Sequence, residues 1–193
     1  MNKAGWKKLP EAVRYEAILK AAACCFLEKG YHGASMQDVA KAAGLTKGGL
    51  YHHFSGKEAI RDVLIAQFLD LDRLGLASLA QLSVPADEKL LRAGDLLLSG
   101  LATKEGSAPR FVADAVACSG EVEAVTNFYD EIERLLVGWF EEAQEAGSIS
   151  SKTDAKTLAE LYTALLDGVQ IRKDITGIQP AENPLTNFIN ILR

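Results

Sequence analysis

The sequence predicts an all-α protein, and the spacing of its apolar residues is the main reason. Apolar residues recur three and four positions apart along the chain of 193 residues, whereas no stretch alternates apolar and polar residues as a half-buried strand would. Capping residues and glycines separate the periodic segments. The pattern indicates about nine helices: an N-terminal group of three, a long fourth helix, and a second, all-helical domain.

The boundaries of the first three helices follow from local signals. The apolar stripe of the first helix stops at Gly30. Ser35 and Asp38 have the spacing of an acidic capping box, which opens the second helix. Gly44 ends that helix, and Thr46 can cap the third. We therefore expect two short helices joined by a glycine-marked turn.

A long fourth helix is expected to connect two domains. Ser55 and Glu58 form another capping box at its start. Its apolar stripe continues toward Leu82, a length of about 26 residues or 39 Å. We place the domain boundary inside this helix, which divides the chain into residues 1–58 and 59–193. Five further helices are predicted to begin at Asp87, Pro109, Glu121, Thr153 and Asn183.

Charge is divided unevenly along the chain. Residues 1–60 carry nine Lys or Arg and five Asp or Glu, a net charge of +4, and the remainder carries twelve and twenty-one, a net charge of −9. A basic N-terminal segment on an acidic body is typical of a DNA-binding module attached to a domain that does not bind DNA.

The composition gives no indication of a membrane protein or of an enzyme. No apolar run reaches the ~18 residues of a membrane span, and the N-terminus lacks a signal peptide, so we expect a cytoplasmic protein with no membrane partner. The three histidines, His32, His52 and His53, all lie in the N-terminal quarter. No P-loop, G-x-S-x-G or metal-ligand cluster is present. We expect no catalysis, no metal and no cofactor.

The stretch from Ser35 to Lys57 has the features of a helix–turn–helix that places its second helix in the DNA major groove. That helix buries Leu50 and Phe54 on one side. It presents short or polar groups at its N-terminal end, namely Thr46, Lys47, Gly48 and Gly49. Two glycines inside a helix cost about 1 kcal/mol each relative to alanine. Close approach to the groove and a frayed helix explain them equally well.

Residues Ile18 to Leu64 resemble the DNA-binding domain of the TetR family of transcriptional regulators. The most diagnostic part is T-x-x-x-L-Y-x-H-F-x-x-K-E, which Thr46 to Glu58 match without a gap. The resemblance covers about a quarter of the chain. It implies a homodimer that binds a pseudo-palindromic double-stranded DNA operator and is released by a small-molecule effector, most often as a repressor.

The resemblance also assigns roles to individual residues. It implies that Thr46, Lys47 and Gly48 face bases or nearby phosphates, that Tyr51, His52 and Lys57 hold the DNA backbone, and that Ser35 caps the second helix beside it. Gln37, in the first turn of that helix, is a further candidate for a phosphate or base contact. The predicted DNA-binding residues are Ser35, Gln37, Thr46, Lys47, Gly48, Tyr51, His52 and Lys57.

An effector pocket is expected among helices four to eight, lined mainly by apolar groups, which favours an apolar or amphipathic effector. Each candidate lining residue also fits a core or interface position; they are Phe68, Phe111, Cys118, Phe128, Trp139, Tyr162 and Gln170. Stripes on the two terminal helices fit either a four-helix bundle between subunits or an intramolecular core, and they comprise Leu161, Leu165, Val169, Phe188 and Leu192.

Two alternatives remain open from the sequence. A redox-responsive regulator would sense through Cys118 or Cys25 instead of a bound effector; the adjacent Cys24 and Cys25 point roughly 100° apart on a helix and are a poor disulfide pair. A protein-only interaction module would show no salt-sensitive DNA binding.

Overall fold

The computed structural model describes residues 10–99, 108–119, 123–178 and 183–193, without the side chains of residues 99, 108–110, 118, 119 and 174. All regular structure within these ranges is helical, which confirms the all-α prediction. The helices are α1 (Glu11–Gly33), α2 (Met36–Ala42), α3 (Lys47–Tyr51), α4 (Lys57–Ala80), α5 (Ala86–Ser99), α6 (Ala108–Ser119), α7 (Glu123–Glu145), α8 (Ala155–Thr176) and α9 (Pro184–Leu192). None of these helices is both long and apolar enough to cross a membrane.

The helices form two compact units. The first unit contains α1, α2, α3, α4 as far as Phe68, and α6. The second unit contains α4 from Leu69 onward, α5, α7, α8 and α9. Helix α6 thus packs with the N-terminal helices although it lies far along the chain. The boundary predicted between residues 58 and 59, which separates a DNA-binding domain from an effector-binding and dimerisation domain, stays a prediction.

Each of the first four helices contributes a fully buried side chain to the first unit, namely Ile18, Val39, Leu50 and Ile60. Burying one such side chain stabilises the fold by about 1.5–3 kcal/mol. Phe54 is also buried and stacks on Tyr15, with ring centroids 4.9 Å apart. The inward positions predicted for Leu50 and Phe54 are therefore confirmed, and they leave the opposite side of α3 exposed.

The predicted caps of the two short helices are present. Ser35 Oγ accepts the Asp38 N–H at 3.2 Å, and Asp38 Oδ2 accepts the Ser35 N–H at 3.0 Å, which is a complete capping box. Thr46 Oγ1 accepts the Gly49 N–H at 3.0 Å at the start of α3. Gly44, with φ at +70°, follows α2. These side chains fix where α2 and α3 begin.

Two helices of the second unit start at residues other than those predicted. Helix α5 begins at Ala86, because the Pro85 carbonyl already accepts the Lys89 N–H at 3.0 Å. Helix α8 is capped by Asp154, whose Oδ1 accepts the Thr157 N–H at 2.9 Å, and Thr153 lies one residue outside. The carboxylate also accepts the Thr157 hydroxyl, so it satisfies two donors where a threonine cap would satisfy one.

Helix α4 begins at Lys57, so Ser55, the predicted cap, lies one residue outside the cap position. The remaining predicted helix ends agree closely or fall on residues outside the description. Helix α4 ends at Ala80, close to the predicted Leu82, and the predicted start of α7 at Glu121 lies outside the described residues. Asn183 caps α9, with Pro184 in the first position as predicted.

The core of the second unit is built around Tyr162, which is fully buried. Its ring meets the edge of Phe140 at a centroid distance of 6.0 Å. Its hydroxyl donates to the Leu90 carbonyl on α5. A Cβ atom at Gly94 would lie 2.9 Å from the Tyr162 hydroxyl and 2.7 Å from Leu185 Cδ1. Glycine at position 94 therefore allows α5 to approach both α8 and α9 closely.

Gly30 interrupts α1 with φ at 73° and ψ at 154°, a conformation that is essentially restricted to glycine. We expect Gly30→Ala to lower the free energy of unfolding by about 1–3 kcal/mol, because alanine is strained there. Urea unfolding followed by circular dichroism measures the change. Gly33→Ala is the matched control, since Gly33 has no positive φ and a Cβ there meets only Lys29 Cβ at 3.9 Å. Equal losses in both variants would contradict the strain argument.

Candidate nucleic-acid interface

The exposed surface of the first unit includes the N-terminal part of α3. Thr46, Lys47 and Gly48 are exposed there, while Leu50 on the opposite side is fully buried. Tyr51 is 46% exposed, and the Lys47 ammonium lies 5.9 Å from its ring centroid. The helix thus presents short, polar and aromatic groups together, as a helix that enters a groove requires.

The two glycines of α3 have different surroundings. A Cβ at Gly49 would lie 3.2 Å from Thr46 Oγ1, so Gly49 leaves room for the cap. A Cβ at Gly48 would meet nothing within 4 Å, so no contact within this chain requires glycine there. Both residues lie within the regular helix, which does not support the frayed-helix explanation.

Helix α2 directly precedes α3 along the chain, and a cluster of charged side chains anchors it. Ser35 and Gln37 are exposed, and Met36 and Val39 are buried. Lys29 Nζ lies 2.5 Å from Asp38 Oδ1. The hydrogen bond from Lys29, followed by those from Ser35, holds the pKa of Asp38 well below its usual range. The carboxylate of the capping box therefore stays ionised at neutral pH.

Lys57 is placed differently from the other candidates. Its ammonium donates to the Tyr31 carbonyl at 2.8 Å and to the Ala34 carbonyl at 3.1 Å, and it lies 4.4 Å from the Tyr31 ring centroid. Two of its three N–H groups are thus used within the first unit. A contact of Lys57 with a phosphate stays a prediction.

The structure keeps the predicted DNA-binding residues within the first unit. Those with exposed side chains or backbone are Ser35, Gln37, Thr46, Lys47, Gly48, Tyr51 and His52, whereas Lys57 is half-buried. Sequence reasoning missed the hydrogen bonds of Lys57, because its acceptors are backbone carbonyls that no side-chain motif marks.

The predicted pocket residues are divided between the two units. In the first unit, Phe111 of α6 stacks on Phe26 and meets the edge of Phe68, both at centroid distances of 5.7 Å. In the second unit, Trp139 is buried, and Phe128 packs against the Arg73 guanidinium at 5.5 Å from the ring centroid. These contacts are core contacts, and the role of each residue toward a ligand stays a prediction.

The polar pocket candidates of the second unit are also hydrogen-bonded inside it. Gln170 is buried, and its Nε2 donates to the Leu98 carbonyl at 3.2 Å. The Tyr162 hydroxyl is bonded to Leu90 as described above. The side chain of Cys118, the remaining candidate, lies outside the described part of the structure. Ligand contacts of all three stay predictions.

A polar group that sequence reasoning missed lies among α4, α7 and α8. The Tyr129 hydroxyl donates to Asp167 Oδ2 at 2.8 Å. Burial raises the pKa of Asp167, and it raises the pKa of Asp72 to about 6. The sequence signal was a carboxylate within an apolar stretch, Leu-Leu-Asp-Gly-Val at residues 165–169.

The surroundings of Cys25 do not favour redox sensing. Cys25 is buried, and burial raises the pKa of its thiol, which keeps it protonated at neutral pH. The thiolate is the reactive form, and reactive cysteines have a lowered pKa. Cys25 therefore behaves as a small apolar residue of α1.

A capped α2, a tight turn at Gly44 and an α3 with one buried and one exposed side define a helix–turn–helix DNA-binding domain. Residues 18–64 match the family model described as "Bacterial regulatory proteins, tetR family". The chain is therefore similar to this family of transcriptional regulators over its helix–turn–helix segment, residues 18–64.

Individual relatives agree with this assignment. The chain is 28% identical over 175 residues to the HTH-type transcriptional repressor DhaR of Mycobacterium sp. (strain GP1), which covers 86% of this chain and 84% of DhaR. It is 43% identical over 53 residues to the repressor KstR2 of Mycobacterium tuberculosis (strain H37Rv), covering 28% and 26% of the two chains. Both relatives are described as HTH-type transcriptional repressors.

Solved structures share the fold along nearly the whole chain. The ketosteroid transcriptional regulator KstR2 of Mycobacterium tuberculosis superposes with a TM-score of 0.75 at 18% identity, covering 95% of this chain and 94% of that one. AibR in complex with isovaleryl coenzyme A and operator DNA has a TM-score of 0.74 at 24% identity, covering 93% and 97%.

Proposed function

We propose that the protein is a repressor that binds a pseudo-palindromic operator as a homodimer and is released by a small-molecule effector. The observation that carries the proposal is the exposed N-terminal end of α3, where Thr46, Lys47 and Gly48 project from a helix anchored by Leu50. In this proposal Thr46 and Gly48 face the bases, Lys47 contacts a nearby phosphate, and Tyr51, His52 and the N-terminal turn of α2 hold further phosphates. A cytoplasmic location stays a prediction.

An exposed apolar stripe on α8 supports the homodimer. Leu161 is 51% exposed, Ile171 41% and Ile175 75%. Together with the exposed Ala164 and Gly168 they are spaced three, four, three and four residues apart, which is the pattern of a helix–helix seam. We call these five residues the α8 stripe. A second copy of the chain presents the same stripe, so pairing about a two-fold axis would bury both.

The α8 stripe differs in detail from the seam predicted from the sequence. Of the predicted residues, Leu161 belongs to the stripe, whereas Leu165, Val169, Phe188 and Leu192 are half-buried within the second unit. Each of those four side chains is partly buried in the unit and partly exposed to solvent. The small residues Ala164 and Gly168 would allow the two α8 helices to approach closely.

The effector is proposed to bind in the second unit and to be apolar or amphipathic. The candidates there are buried aromatic or hydrogen-bonded polar groups, namely Phe128, Trp139, Tyr162 and Gln170. AibR has this fold and its structure contains both isovaleryl coenzyme A and operator DNA. It supports the idea that one protein of this fold can bind a small ligand and DNA.

Salt dependence of DNA binding tests the proposal. A duplex is first enriched from a random library by the wild-type protein, and its dissociation constant is then measured at several salt concentrations. Lys47→Gln is expected to weaken binding and to reduce the slope of log K against log salt by about 1.8, because the homodimer loses one phosphate contact in each half-site. Lys156→Gln on α8 is the control, since its side chain is 77% exposed far along the chain. If the wild-type protein enriches no duplex, the protein-only interaction module becomes the better explanation.

A further inference from the structure

A short segment that begins with the break in α1 connects the main part of α1 to α2. Residues 30–34 begin at Gly30, whose conformation breaks α1, and end immediately before the cap residue Ser35. We call this segment the Tyr31 joint. The Tyr31 side chain is buried, and its ring meets the edge of Phe26 at a centroid distance of 5.4 Å. The direction in which the chain leaves the Tyr31 joint determines the position and direction of α2 in the unit.

Two side chains from other helices hold the joint by its peptide groups. Asp114 of α6 accepts the Tyr31 N–H through Oδ2 at 2.6 Å, although the two residues are 83 positions apart. Lys57, at the start of α4, donates to the carbonyls of Tyr31 and Ala34. A negative group thus holds the N–H of Tyr31 and a positive group holds its carbonyl. Hydrogen bonds to charged groups are stronger than neutral ones.

The position of the joint determines the position of the DNA-binding surface. Ser35, the first residue after the joint, caps α2, and α2 is followed by the turn to α3. Lys29, the last residue before the joint, is paired with Asp38 in α2. A change at Asp114 or Lys57 would therefore move α2, although neither residue belongs to the exposed surface of α3.

We propose that Asp114 and Lys57 are positioning residues for DNA binding: they hold the Tyr31 joint and act on affinity without contacting DNA. The proposal rests on the proposed function, and it makes α6 part of the DNA-reading unit. This assignment gives Lys57 a role other than the phosphate contact that the resemblance implies.

The first experiment removes the carboxylate. Asp114→Ala is expected to weaken binding of the selected duplex about tenfold with an unchanged salt slope, and to speed hydrogen exchange of the Tyr31 amide. Asp114→Asn retains an acceptor oxygen and is expected to restore most of the affinity. Asp130→Ala is the control, because it removes an exposed carboxylate of the second unit. Wild-type affinity in Asp114→Ala would overturn the proposal.

The second experiment separates positioning from phosphate contact. Lys57→Gln is expected to weaken binding with the wild-type salt slope, whereas Lys47→Gln reduces the slope by about 1.8, one phosphate contact in each half-site. An equal reduction in Lys57→Gln, or wild-type affinity in that variant, would overturn the proposal. Because all comparisons use a duplex that the wild-type protein binds, failure of the proposed function would appear earlier, as the absence of any such duplex. If Asp114→Ala does not fold, the slope of Lys57→Gln decides.

Discussion

Ile171→Glu is expected to convert a homodimer into a monomer at micromolar concentration and to weaken operator binding by about 100-fold or more. The charge would lie within the α8 stripe, where a second copy would have to bury it without a partner. A monomer binds each half-site separately and loses the effective concentration that a linked second site provides. Sedimentation velocity measures the oligomeric state, and a gel-shift titration measures affinity for the selected duplex.

The control for this variant is Leu74→Glu. Leu74 lies on α4 in the same unit and is 66% exposed, so the substitution adds the same charge outside the α8 stripe. It is expected to remain dimeric and to bind DNA as the wild-type protein does. A dimeric Ile171→Glu protein would show that another surface joins the subunits, and the proposal for α8 would be abandoned.

Tyr162→Ala is expected to lower the free energy of unfolding by about 3–5 kcal/mol, the range for removing a large aromatic side chain from a core. The ring is fully buried against Phe140, and its removal leaves a cavity between α5, α7 and α8. Tyr162→Phe keeps the ring and loses only the hydrogen bond to Leu90, which costs about 1 kcal/mol. Urea unfolding followed by circular dichroism gives both values.

An exposed tyrosine is the control for Tyr162. Tyr51→Ala removes a side chain of the same size from the surface of α3 and is expected to change stability by less than about 0.5 kcal/mol. If Tyr162→Ala were as stable as Tyr51→Ala, Tyr162 would not be a core residue. In that case its predicted place in an effector pocket would be the better explanation.

Local features of the fold were predictable because their causes lie within a few residues. The capping box of Ser35 and Asp38, the Thr46 cap and the Asn183 cap each depend on a side chain and a backbone N–H up to three positions away. The place of α6 in the first unit was not predictable. It depends on the contact of Phe111 with Phe26, and no periodic pattern encodes a pairing over that separation.

The same distinction applies to the candidate interface. The exposed end of α3 follows from the motif and from the two inward residues, Leu50 and Phe54. The hydrogen bonds of Lys57 do not follow from the motif. They require the conformation of Gly30, which brings the carbonyls of Tyr31 and Ala34 toward the Lys57 ammonium. The α8 stripe was predicted only in part, since periodicity alone does not tell which of two adjacent apolar stripes remains exposed.

The packing of α6 has a consequence for exchanging parts between regulators. A fragment that stops at residue 64, where the family match ends, would lack Phe111 and Asp114. Phe26 would then lose its stacking partner and the Tyr31 amide its acceptor. Such a fragment would therefore expose aromatic surface. The compact unit that contains the helix–turn–helix is therefore discontinuous in sequence, and a chimaera built on this unit would have to carry α6 along with α1 to α4.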